Sequence, residues 1–182
     1  MSADTFAEGG TSSRSAAAEL QAECAEFLFQ EAEYLDDRRF RDWLQLITED
    51  CVYQIPIRVT RGLGSHEADF ARTGFHMKDT YPTLSMRVER LYTQYAYAED
   101  PPSRTTRLVS NVRCQPRGSS PEIDVKSKFA CYRAMGEGTD FDLLMGERRD
   151  VLRRVDGDLK LAARTVLLVH TTLPTANLGL FL

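Results

Sequence analysis

Tyr97-Ala98-Glu99-Asp100-Pro101-Pro102-Ser103-Arg104-Thr105-Thr106-Arg107-Leu108-Val109-Ser110-Asn111-Val112 divides the sequence into two regimes. An acidic segment stops at two adjacent prolines, and a β-prone run begins directly after them. Each proline fixes φ near −65° and offers no N–H, so the pair forms a rigid corner and a strand can start only beyond it.

Downstream of the corner the apolar period is two. Leu108, Val112 and Cys114 are expected on one face of a strand, and Ile123, Val125, Phe129 and Cys131 alternate in the next. Gln115 to Pro121, rich in Pro, Gly and Ser, reads as the hairpin loop between them. Phe141 to Val155 reads as one long strand in which Gly146 permits a bulge or strong curvature. Asp156-Gly157 is a two-residue hairpin signal, and Leu159 to Thr171 closes the sheet.

Upstream the period is helical. Leu20, Cys24, Phe27, Leu28 and Leu35 share one face of an amphipathic helix. Asp36 or Asp37 is placed to cap a short second helix that turns Phe40, Trp43, Leu44 and Ile47 inward. Cys51 to Val59 reads as a strand bent or edged by Pro56, and Thr60 to Lys78 as a long glycine-containing loop. A third helix follows with Thr83 as the expected cap and Leu84, Val88, Leu91 and Tyr92 on one face. Helices followed by a run of antiparallel strands give the α+β class. The expected organisation is a loose arm over residues 1–18 and one domain over residues 19–182.

Composition narrows the functional classes. The chain has 182 residues and a formal charge of −4. That length suits one core burying roughly 70% of the unfolded chain's surface, and the charge argues against nucleic-acid binding, which requires a basic face. Arg148-Arg149 and Arg153-Arg154 are local exceptions, read as solvated strand edges or subunit contacts. Cys24, Cys51, Cys114 and Cys131 form no CxxC pair, so they are expected to be reduced and mostly buried. No segment has the pattern of a secretory signal or a membrane span, and the expected location is cytoplasmic.

Candidate chemistry is sparse. His66 and His76, with Glu67, Asp69 and Asp79 nearby, match no local metal-ligand spacing. No cysteine stands within three residues of a histidine, which excludes the paired ligand spacing of a Rieske cluster. His170 facing Asp36 or Asp37 inside the fold would form an acid/base dyad, and a structural histidine is the alternative. Arg104 and Arg107, three apart on a strand, should point to opposite faces: one could pair with Glu99 or Asp100, the other could reach a neighbouring subunit. Leu178, Leu180, Phe181 and Leu182 form an apolar run that must be covered, by the chain's own sheet or by a partner.

The segment Ala98 to Val112 resembles the A-E-D-P-P-S-R-T-x-x-L-x-x-N-V run of the β (small) subunits of bacterial aromatic-ring-hydroxylating dioxygenases of the biphenyl, toluene and cumene type. Arg87-Val88-Glu89-Arg90-Leu91 resembles the helix ending that precedes that run, and Tyr34 to Leu44 is similar to the family's L-L-D-D-x-x-F-x-x-W-L. Asp50 to Arg58, Gly146 to Arg154, Ala163 to Leu168 and Asn177 to Leu182 extend the resemblance over most of the chain. It implies a nuclear-transport-factor-2-like (cystatin-like) cone, with three helices on a long, strongly curved, mainly antiparallel sheet. It also implies a non-catalytic role in a hexamer of three α and three β subunits. In such assemblies the α subunit carries the Rieske [2Fe–2S] cluster and a mononuclear non-haem Fe(II), a reductase and a ferredoxin deliver electrons from NADH, and arenes become cis-dihydrodiols. No catalytic, metal or cofactor-binding residue is then expected here. Tyr97, Asp100, Arg104, Arg107, Arg149 and Phe181 are the interface candidates. The competing expectation is a stand-alone isomerase or dehydratase with a pocket in the same fold.

Overall fold

The structure, a computed structural model, describes residues 9–59, 69–93, 102–175 and 177–182. Tyr97, Asp100 and His66 lie outside them, as do Glu99 and Glu67. The chain opens with α1 (Gly9–Asp36), α2 (Phe40–Gln45), β1 (Ile47–Arg58), β2 (Phe70–Thr80) and α3 (Tyr81–Leu91). It continues with β3 (Arg104–Pro116), β4 (Glu122–Ala134), β5 (Phe141–Val155) and β6 (Asp158–Leu168). The strands form one curved sheet in the order β2-β1-β6-β5-β4-β3, antiparallel except for the β1–β6 pair. The helices pack on one face, α1 against β3 and α3 against β1 and β2. This is the expected α+β cone.

In α1 the buried positions Cys24, Phe27, Leu28, Glu31, Ala32 and Leu35 recur at helical spacing. The helix begins inside the segment expected to be a loose arm: Arg14 to Glu19 are helical but exposed, because alanines favour the helix while no sheet lies beneath them. It ends with Arg38 in the left-handed region at φ 58° and the Arg39 N–H returning to the Tyr34 carbonyl at 2.7 Å, a Schellman closure without glycine.

The expected aspartate cap is corrected here. Arg39 precedes α2 without a side-chain cap bond, and the Asp36 carboxylate turns to the free edge of β3. There it accepts from the Thr105 hydroxyl at 2.8 Å, the Arg107 backbone N–H at 2.7 Å and the Arg107 guanidinium. Gln21 donates to the Val112 carbonyl and accepts from Cys114 Sγ at 3.5 Å. Side chains of α1 thus occupy backbone groups that an open sheet edge would leave unpaired.

Three further expectations change. The Thr60–Lys78 loop gives way to β2 from Phe70, whose pairing with β1 is irregular on both sides of Pro56. Pro56 faces Phe75 but has no N–H to donate, so the regular ladder breaks on either side of it and the alternation is hidden. The cap of α3 is Thr80, with its N–H donating 2.8 Å to Thr83 Oγ1; Thr83 is the third helical residue. Leu108 does not share a face with Val112 and Cys114. Asn111, at φ 52°, lies in an irregularity between Ser110 and Arg113 that adds a residue to β3 and reverses which face each side chain occupies.

Gly146 pairs regularly with Phe129 and Leu168 and is not a bulge. A Cβ built there would strike the Leu167 carbonyl oxygen and lie 3.1 Å from Leu168 Cα. Gly146→Ala must move β6 away from β5 and should cost about 1–3 kcal/mol, measured as a lower urea midpoint with unchanged slope.

Candidate subunit interface and the interior of the cone

A pocket enzyme on this sheet would need open space between the helices and the inner sheet face. Most of that space is filled; a pocket of about 150 Å³ remains at one end, lined by Leu35, Phe40, Leu91, Tyr92, Arg107 and Leu180 among others. Glu31 from α1, Arg148 and Asp150 from β5 and Arg164 from β6 are each at most 2% exposed. Arg164 bridges the two acids: its guanidinium donates to both Glu31 carboxylate oxygens at 2.6 and 2.7 Å and to both Asp150 oxygens at 2.8 Å. Trp43 Nε1 donates to Glu31 at 3.0 Å, and Arg148 approaches it at 3.4 Å while lying over the Phe129 ring. Two acids and two arginines give a neutral set, as burial requires.

Burial alone would raise the Glu31 carboxyl, but the Arg164 and Arg148 charges and its hydrogen bonds outweigh it and hold the group below the usual carboxylate range. Burial pushes Arg148 downward, reinforced by the Arg164 charge. For Arg164 the burial effect is overcome by Asp150 and Glu31, and its value rises well above the ordinary one. The Glu31 and Arg164 shifts follow from their pairing with opposite charges, whereas that of Arg148 follows from burial. The arrangement is structural.

Residues 177–182 add to the filling. Leu180, Phe181 and Leu182 are buried, with the Phe181 ring 4.3 Å from Trp43 and 6.1 Å from Phe40, centroid to centroid. Of the two expected covers for this apolar run, the chain's own core is the one observed. Arg133, also buried, donates to Ser103 Oγ and Thr175 Oγ1 at 2.8 Å and so ties the approach to this segment to the start of β3.

The proposed acid/base dyad does not form. Asp36 is engaged at the β3 edge, and His170 has a buried Nε2 with no hydrogen-bond partner among the described residues. Burial pushes the Cys51 thiol up to about 12, which leaves it unsuited to nucleophilic work. Among the described residues no three His, Cys, Asp or Glu side chains cluster so as to hold a metal ion, and none of their helices is long and apolar enough to cross a membrane.

The outer face of the sheet is different: among the described residues no helix covers it. Strand register places apolar side chains side by side there. Leu108 pairs with Ala130 and Ala130 with Met145, whose carbonyl accepts from the Val169 N–H. Thr106, Tyr132 and Leu143 form the next row, and Arg104, Ala134 and Phe141 the last. Leu108 is 67% exposed, Phe141 58% and Met145 43%, and Tyr132 stacks on Phe141 at 5.0 Å. A contiguous apolar patch at one end of an uncovered sheet is what a subunit contact requires. The other end is charged. There Glu147 lies between Lys128 and Arg149; burial would raise its carboxyl, but hydrogen bonds at 2.7 and 2.8 Å bring it down to about 2.

The interface candidates separate accordingly. Arg104 is exposed beside the patch, with Nη2 donating 2.8 Å to the Gly136 carbonyl. Arg149 lies in the charged half, in a groove with Arg72, Phe75 and Lys78. Arg107 and Phe181 are interior: Arg107 is bound to Asp36 and donates 2.6 Å to the Phe181 carbonyl. Of the doubled arginines, Arg148 departs from the solvated reading, while Arg149, Arg153 and Arg154 stay partly in water. Arg148 is core, Arg153 bridges Asp50 and Glu122, and Arg154 pairs with Glu23. Sequence reading missed the patch because Phe141, Leu143 and Met145 lie within an unbroken β-prone stretch. The inward polar series Arg148 and Asp150, between Leu144 and Leu152, was the available signal for which parity faces the core.

Comparison with known proteins agrees with this geometry. Residues 30–175 match the family model described as ring hydroxylating beta subunit. The chain is 35% identical over 169 residues to the benzene 1,2-dioxygenase subunit beta of Pseudomonas putida, covering 91% of this chain and 90% of that one. It is 35% identical over 166 residues to the biphenyl 2,3-dioxygenase subunit beta of Rhodococcus jostii, covering 89% and 88%. Among solved structures, a naphthalene 1,2-dioxygenase with indole bound in the active site superposes with TM-score 0.80 at 26% identity, over 91% of this chain and 86% of that chain.

Proposed function

Because the chain belongs to the ring-hydroxylating β-subunit family, we propose that it is the structural subunit of an aromatic-ring-hydroxylating dioxygenase and that the uncovered sheet face is where it meets other subunits. One observation carries the division of labour. The interior between the helices and the strands β5 and β6 is occupied by a charge-paired core, while an extended apolar surface left in water lies on the outside of the sheet. Catalysis then belongs to a larger α subunit, which on this reading holds a Rieske [2Fe–2S] cluster and a mononuclear non-haem Fe(II). Three α and three β subunits form the assembly in the cytoplasm, with a reductase and a ferredoxin supplying electrons. Relatives named for benzene and for biphenyl match at the same 35% identity, so the choice of arene is assigned to the α subunit.

Reconstitution tests this reading. With its ferredoxin and reductase, the α subunit co-produced with this chain should convert an arene to a cis-dihydrodiol, and this chain alone should convert none. Turnover by the isolated chain, or full activity and assembly of α without it, would contradict the proposal.

A further inference from the structure

The pocket that stays open in the cone, about 150 Å³ in volume, lies where the end of α1, the start of α2, the end of α3 and the start of β3 meet Gly179 and Leu180. Leu35, Phe40, Leu91 and Leu180 give it an apolar wall, and an apolar cavity of roughly that size admits a single six-membered ring. Its charged lining is cationic. Arg38 and Arg107 border it, and no Asp, Glu or His does so among the described residues. Arg107 is held in place: Nη1 meets Asp36 and the Thr105 hydroxyl, and Nη2 donates 2.6 Å to the Phe181 carbonyl. Its side chain is 2% exposed, and its buried Nε–H has no acceptor among the described residues. Arg38 stands exposed at the rim, with Nη2 donating 3.1 Å to the Ser103 carbonyl and not to an acid.

A buried donor without an acceptor is costly, so the pocket favours a guest that brings one. The charge of Arg107 is matched by Asp36, whereas Arg38 rests on a carbonyl, and this favours an acceptor with a full negative charge. The apolar wall restricts the rest of the guest to a hydrocarbon body. We infer that this pocket binds a small carboxylate whose apolar body is about the size of one six-membered ring, with the carboxylate accepting from Arg107 Nε and facing Arg38 at the rim. The guest is bound and not converted, since among the described residues no acid or imidazole lines the pocket to move a proton. The inference is independent of the assembly reading, because every residue it uses lies within one chain.

Calorimetric titration of the full-length chain with benzoate at fixed ionic strength tests it. Benzoate should bind saturably, at least tenfold tighter than toluene, which lacks the charge, and than acetate, which lacks the body. Arg38→Gly removes the rim cation at a position whose φ of 58° suits glycine. This variant should fold about as stably, bind benzoate at least tenfold more weakly and bind toluene as before. Amide NMR of the unaltered chain needs no variant: benzoate should shift the signals of Leu91, Ser103 and Thr105 and leave those of Leu143 and Met145 on the outer face in place. The inference is overturned by absence of saturable benzoate binding, by equal affinity for toluene or acetate, by undiminished affinity in Arg38→Gly, or by signal changes confined to the outer face.

Discussion

Replacing Glu31 by alanine should destabilise the folded chain by about 3–5 kcal/mol, a large part of the stability of a domain this size. The carboxylate accepts from Arg164 through both oxygens and also from Trp43, with Arg148 at 3.4 Å. Its removal leaves two buried guanidinium groups facing one remaining acid, Asp150. Desolvated charge without a partner is the costly outcome, whereas replacing all four charged residues with apolar ones of similar volume should cost far less. Urea titration of the single and fourfold variants distinguishes the two. Similar losses for both would mean that packing, not charge pairing, sustains this core.

The same group sets an acid limit. Glu31 has a folded-state value below its unfolded one, so the unfolded chain binds the proton more readily. The stability it contributes is complete above the ordinary carboxylate value of about 4.3 and is lost as pH falls through the lower folded value. Between pH 7 and pH 5 Glu31 should contribute no slope. Below about pH 4 the unaltered chain should lose stability, and the part assigned to Glu31 should be absent from Glu31→Ala.

Introducing two acids into the outer patch, as Leu143→Glu with Met145→Glu, should abolish assembly while leaving the isolated chain folded. Both side chains are already partly in water, at 38% and 43% exposure, so the fold loses little by their change. An apolar contact that must instead desolvate two carboxylates loses far more. At 2 kcal/mol or more for each central contact residue, association should weaken by about a thousandfold. Sedimentation velocity would show the assembled species replaced by free subunits, with the circular dichroism of this chain unchanged. An intact assembly would remove this face from the interface.

The periodic parts of the fold were legible in sequence. Cys24, Phe27, Leu28 and Leu35 marked α1, Ile123 to Cys131 marked β4, and Asp156-Gly157 marked the β5–β6 turn, where both residues adopt positive φ. What sequence concealed were local breaks in period. Pro56 disrupts the β1–β2 register and hid β2 inside an expected loop, and Asn111 shifts β3 by one residue, which exchanged Leu108 between faces. The interior charges were hidden for a different reason. Arg148 next to Arg149 reads as a basic pair, but strand alternation sends one side chain into the core and the other to the surface. Asp36 likewise reads as a helix cap and serves instead at the edge of a strand that begins sixty-eight residues later. Burial of polar groups depends on partners distant in sequence, and no single segment carries that information.

The most direct test of the central claim is native mass spectrometry with iron analysis on the complex purified with its co-expressed partners. The account predicts a species roughly ten times the 20.6 kDa mass of this chain, a mass set by the proposed six-subunit assembly, from which this chain dissociates free of iron while the metal stays with a larger subunit. An iron-free oligomer of this chain alone, with no larger partner retained, would contradict it.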